Sequence, residues 1–138
     1  MKTQLKLALQ HGFVVAAWGL FFSACQMQQP PATATESAGV YALVSVDGKP
    51  VPASVSHEGV TLNVRSGTFT IKADGTCSSR IVFVSPSGIE TTREVSATYT
   101  EEGSQVNMRW KGAGKTVGTI SGKTFTMNNE GMLFVYRK

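Results

Sequence analysis

The chain has 138 residues and a formal net charge of +4, enough for one folded domain and little more. It shows no basic run and no stripe of aromatics with Arg, which argues against nucleic acid as a partner. With 2 Cys and 2 His in all, no spacing completes a Cys/His metal centre, and no cofactor motif is present.

Residues 1–24 read as an export signal. Lys2 and Lys6 supply a positive start, and Phe13 to Phe22 (FVVAAWGLFF) form an apolar run. That run suits a signal core and is too short for a membrane-spanning helix. It ends in Ser23 and Ala24, followed at once by Cys25. The sequence Phe22-Ser23-Ala24-Cys25 resembles the bacterial lipobox, with Phe22 where Leu is favoured. The resemblance implies that Cys25 takes a diacylglyceryl group on sulfur, becomes the first residue on cleavage, and is then N-acylated. One acyl chain holds a protein marginally and two or more hold it stably, so the membrane becomes a partner through the acyl chains on Cys25. The alternative is an ordinary secretory signal cut near Ala24, leaving Cys25 free. Gln26 follows the cysteine where an Asp would favour inner-membrane retention. The expected location is therefore the bacterial cell envelope, at the outer membrane facing the periplasm. Loss of Lys2 and Lys6 lowers the basic count from 13 to eleven against 9 acidic residues.

After Cys25, residues 26–38 (QMQQPPATATESA) hold almost no large apolar side chain. Such a composition does not bury enough surface to offset the entropy of ordering, so residues 25–38 read as a lipidated Cys and a flexible tether. From Gly39 the texture changes, and residues 39–138 form the expected folded domain. Val, Thr, Tyr and Phe dominate, and turn signals recur, among them Asp47-Gly48, Asp74-Gly75, Glu102-Gly103, Ser121-Gly122 and Glu130-Gly131. Between them the residues alternate with the period of two of a strand. Phe69 and Ile71 oppose Thr70 and Lys72; Val95, Ala97 and Tyr99 oppose Ser96 and Thr98; Val106, Met108 and Trp110 oppose Asn107 and Arg109. About eight strands result if Val60–Ala73 is one long strand bent near Gly67. A meander of that count closes most simply as an up-and-down β-barrel, which removes both edges. Its polar outer faces argue against a barrel embedded in a membrane.

The stretch Gly39–Gly48 with Pro50 and Pro52, then Gly67–Ile71 with Asp74-Gly75-Thr76, Ala97–Thr100 and the closing Phe134–Lys138, resembles the small lipocalin-like domains of bacterial envelope lipoproteins, within the broader calycin group. The resemblance covers about a hundred residues and implies an all-β, lipocalin-like barrel. The first-strand motif of the group carries Gly-x-Trp, and here it is Gly39-Val40-Tyr41. By the resemblance, Arg137 would pack across that aromatic at the closed end, yet its parity is opposite to that of Phe134 and Tyr136, so both sets face inward only through a bulge. The long lid loops and the C-terminal helix of typical lipocalins are missing, which argues against a deep pocket.

Enzymatic readings find no support. His57 is the only histidine after the signal and sits in an apparent loop, Ser54–Gly59, as a solvated side chain. Gly112-Ala113-Gly114-Lys115 lacks the spacing of a phosphate loop and reads as a hairpin turn. The inward aromatics Tyr41, Phe69, Phe83, Tyr99, Trp110, Phe125, Phe134 and Tyr136 are candidate lumen residues. They either fill the barrel or leave a small apolar pocket beside Ala97 and Gly118. Several strands are apolar on both faces, Val40, Val44 and Val46 being opposite Tyr41 and Leu43. Val40, Val44, Leu133 and Val135 are therefore a candidate outer docking patch, unless the Pro-rich segment Lys49–Gly59 folds back over it. Cys77, with inward parity, reads as a buried thiol; a disulfide to Cys25 is the competing reading, which lipidation forbids. The functional expectation is a non-enzymatic envelope lipoprotein that binds a small apolar ligand or a protein partner. The alternative is a lipid-anchored inhibitor of a protease or lysozyme.

Overall fold

In the computed structural model the described residues are 36–138; the signal sequence, Cys25 and the tether up to residue 35 lie outside them. Three of the turns have both central residues in the left-handed region: Asp47 and Gly48, Glu58 and Gly59, Glu130 and Gly131. This is the type I′ geometry, whose twist matches that of the strands it joins. Ten strands follow in chain order: β1 Gly39–Val46, β2 Lys49–Pro50, β3 Ala53–His57, β4 Val60–Ile71, β5 Thr76–Val84, β6 Glu90–Glu102, β7 Gln105–Trp110, β8 Lys115–Ser121, β9 Thr124–Asn129 and β10 Met132–Arg137. There is no helix among the described residues.

Antiparallel pairing runs from β4 through β10 in chain order, β10 pairs with β1, and β1 pairs with β4. Eight strands thus close an up-and-down barrel. The short β2 and β3 are additions at the seam. β1 and β4 pair only from Gly39↔Ile71 to Ala42↔Thr68. Beyond that point β2 extends β1 and β3 extends β4. Each seam strand carries an irregularity where the two separate, between Leu43 and Ser45 on β1 and between Val64 and Ser66 on β4. A bulge bends its strand and resets its facing, so the two together splay the seam. Gly67 makes the last close contact possible: a Cβ there would lie 3.0 Å from Leu43 Cδ2 and 3.2 Å from the Arg80 carbonyl.

The bulge corrects one face assignment. Val46 is fully buried and belongs to the core, not to the outer face with Val40 and Val44. The segment Lys49–Gly59 is likewise neither a loop nor a flap. It builds β2 and β3 into the wall, with Val55 buried at 2% exposure and Ser54 and Ser56 outside. The Glu58-Gly59 turn makes this possible, because it returns the chain directly from His57 to Val60.

Candidate functional site

The barrel has two ends of different character. At one end lie the turns between β4 and β5, β6 and β7, and β8 and β9, together with both ends of the described chain. Here the interior is filled. Phe69 sits at the centre, with ring centroids 4.5 Å from Phe125, 5.6 Å from Tyr136 and 6.3 Å from Trp110. Tyr41 adds to it, 6.0 Å from Phe125. These tilted and edge-on contacts suit aromatic quadrupoles. Gly118, one expected flank of an apolar pocket, is where Phe125 fits: a Cβ there would lie 2.6 Å from Phe125 Cζ. There is accordingly no room for a ligand beside Gly118, because Phe125 occupies the volume that Gly118 leaves.

Polar groups seal this end. Ser37, in the segment read as tether, is buried; its hydroxyl donates to Glu101, and its carbonyl accepts from Tyr41 Oη at 2.6 Å. Burial and the Glu101 carboxylate both raise the Tyr41 phenol above its ordinary pKa. Lys138 Nζ donates to the carbonyls of Ala38 at 2.5 Å and Glu36 at 3.1 Å, and lies 5.5 Å from the Tyr41 ring centroid. The cation facing the first-strand aromatic is therefore Lys138 and not Arg137. β10 keeps its alternation without a bulge, so Arg137 is exposed beside buried Tyr136. Tyr99 is half-buried at the same end, and its hydroxyl donates to the Lys72 carbonyl at 2.5 Å.

The other end is open. A cavity of about 340 Å³ lies inside the mouth, lined by residues of β3 to β10 and by the turns that follow β7 and β9. Trp110 and Phe134 line it and also touch the aromatic cluster, so they form its floor. Leu62, Ile81, Phe83, Val95, Met127 and Met132 supply apolar wall. Three of the deep polar groups form a chain of hydrogen bonds. Trp110 Nε1 donates to Thr116 Oγ1 at 2.8 Å, and Thr116 Oγ1 donates to Asn129 Oδ1 at 2.8 Å. Ser79 is buried on the wall, and its hydroxyl faces Tyr136 Oη, which is buried below the cavity without a hydrogen bond of ordinary geometry. Burial pushes the Tyr136 phenol up to about 12. Cys77 is a free buried thiol, pushed up to about 11 by burial alone.

The expected lumen residues thus divide. Tyr41, Phe69, Phe125 and Tyr136 fill the closed half, Trp110 and Phe134 are the floor, half-buried Phe83 lines the cavity, and Tyr99 lies away from it. His57 ends β3 and lines the mouth. Ser79, Arg93, Thr116 and Asn129 were not singled out from sequence. Each lies on the inward parity of its strand: Ser79 with Cys77, Arg93 with Val95, Thr116 with Gly118 and Asn129 with Met127. Extending the alternation to polar positions would have found them.

The proposed outer patch is spread out. Val44 and Val135 are half-buried near one another, across the Ser45↔Val135 pair. Leu133 is 40% exposed and is bonded through its backbone to Asp47. Val40, 59% exposed, lies toward the other end of β1, opposite Thr70 of β4. Among the described residues no group of three or more His, Cys, Asp or Glu side chains is placed to hold a metal ion.

No family model matches the sequence, and no curated protein matches it. Among solved structures, the chain is similar to the crystal structure of a lipocalin-like protein from Bacteroides uniformis ATCC 8492, at 16% sequence identity and a TM-score of 0.45, over 75% of this chain and 98% of that one.

Proposed function

We propose that this chain is a non-enzymatic binding protein that takes a small apolar molecule into the mouth of its barrel, held at the cell envelope by acyl chains on Cys25. The observation that carries this reading is the division of the interior. Aromatic packing ends at Trp110 and Phe134, and an apolar-walled space of about 340 Å³ opens above them. Ligand pockets span roughly 300–1,000 Å³ and are lined chiefly by apolar side chains with a few placed polar groups. The space here stands at the small end of that range, which suits a small ligand.

The binding half of the proposal is tested by filling the cavity. Val95→Trp adds a ring at a half-buried wall position. Titration with the neutral fluorophore Nile red should show saturable binding to the parent chain and none to the variant, with both melting at similar temperatures. Equal binding to both would remove the mouth as the site. The anchoring half is tested by metabolic labelling with a palmitate analogue, which should mark the parent protein and leave Cys25→Ser unmarked.

A further inference from the structure

The cavity mouth is not electrically neutral, and from this the geometry points to an anionic amphipathic ligand, such as a medium-chain carboxylate, whose head group stays at the rim while its tail enters the barrel. This rests on the reading of the cavity as the ligand site. Arg93, Lys111 and Lys115 all line the mouth, against one carboxylate, Glu130. None of the three cations is in an ion pair among the described residues; the ion pair found there joins Arg65 to Glu90.

The position of Arg93 is the most specific of these observations. It shares the inward face of β6 with Val95 and Ala97, and it pairs with Ile81 of β5, which also lines the cavity. Arg93 is exposed at the top of an apolar wall, so its guanidinium is available to an anion at the rim. The deep polar groups point to the same orientation. Trp110 Nε1 is already taken by Thr116, and Thr116 by Asn129, so neither the indole nor that hydroxyl has a proton to give a buried head group. Unpaired charge is available only at the rim, and apolar surface only below it. A tail-down, head-up ligand meets both.

The test is calorimetric titration of the full chain with three probes of one chain length: decanoate, decanol and decylamine, at neutral pH and low ionic strength. Rim charges are partly screened, so decanoate should bind about fivefold or more tightly than decanol, and decylamine more weakly than both. The gap between decanoate and decanol should close in high salt and in the double variant Arg93→Gln, Lys115→Gln. Should that variant fail to fold, the salt dependence and the probe order decide alone. Equal binding of decanoate and decanol, or a preference for decylamine, would overturn the head-group assignment and leave the cavity reading standing. Binding of none of the three would overturn both.

Discussion

The closed half and the open half of this barrel are built from the same strands, yet they handle the same problem differently. In the closed half, the interior is taken up by Tyr41, Phe69, Phe125 and Tyr136, with Gly118 giving up its side chain to make room for one ring. In the open half, the inward positions hold smaller or half-exposed residues, and hydroxyls and amides replace rings: Ser79, Thr116 and Asn129. An eight-stranded barrel is just wide enough to be filled by side chains or to hold one small ligand. This one is filled in one half and leaves a cavity in the other. Stability should therefore concentrate in the first half and binding in the second.

The largest contrast should come from matched aromatic deletions. Phe69→Ala empties the centre of the cluster and should cost roughly 3–5 kcal/mol in denaturant unfolding. Phe83→Ala removes a half-buried ring from the cavity wall and should cost under about 1 kcal/mol, while weakening Nile red binding. Similar losses from the two would erase the distinction between the halves.

Alkaline pH sharpens the comparison next. Cys77 and Tyr136 are buried in the neutral form, with folded pKa values raised from 9.0 to about 11 and from 10.0 to about 12. Above each unfolded value the unfolded chain releases a proton that the folded chain keeps. Stability is thus fully present below about pH 9 and falls as pH rises toward 12. The Tyr136 share amounts to about 2–3 kcal/mol at its limit. Tyr136→Phe should remove the part of the decline above pH 10. It also deletes a buried hydroxyl that lacks a well-formed hydrogen bond, so it should be neutral or stabilising near pH 7. A decline unchanged in Tyr136→Phe would show that the phenol is solvated in the folded protein.

A smaller effect is expected of Gly118→Ala. The added methyl falls on the Phe125 ring, which must shift within a filled half, at a cost of about 1–3 kcal/mol. A variant as stable as the parent would mean that the closed half is less tightly filled than described.

How far the sequence could be read depended on where its alternation held. Phe69, Trp110, Phe125 and Tyr136 were legible as inward residues because no irregularity interrupts the parity between them and their neighbours. Val46 was not, because a bulge near Val44 inverts the parity of everything after it, and a bulge has no residue signature here. β3 was missed because its residues are mostly Ser and Ala around a single buried Val55, and because the turn that ends it is Glu58-Gly59. The site was half legible. Trp110, Phe83 and Phe134 were recognised as rings, but whether rings fill a barrel or line it depends on their height along the axis, which parity does not encode. Arg93 and Thr116 share the inward parity of their strands, but their polar side chains hide them from a pattern of apolar alternation. Lys138 is not legible as the cation of the closed end, since its place there depends on the Ala38 and Glu36 carbonyls that capture it.

The central claim, that ligand enters the open half and stops at Trp110 and Phe134, is tested most directly by amide chemical-shift mapping of the isotope-labelled chain titrated with decanol. The neutral probe makes the result independent of the rim charges. Saturable shifts should cluster at Ile81, Phe83, Arg93, Val95 and Trp110, with Tyr41, Val106 and Gly118 unmoved. Shifts centred on the closed half, or confined to the outer wall at Val44 and Val135, would contradict it.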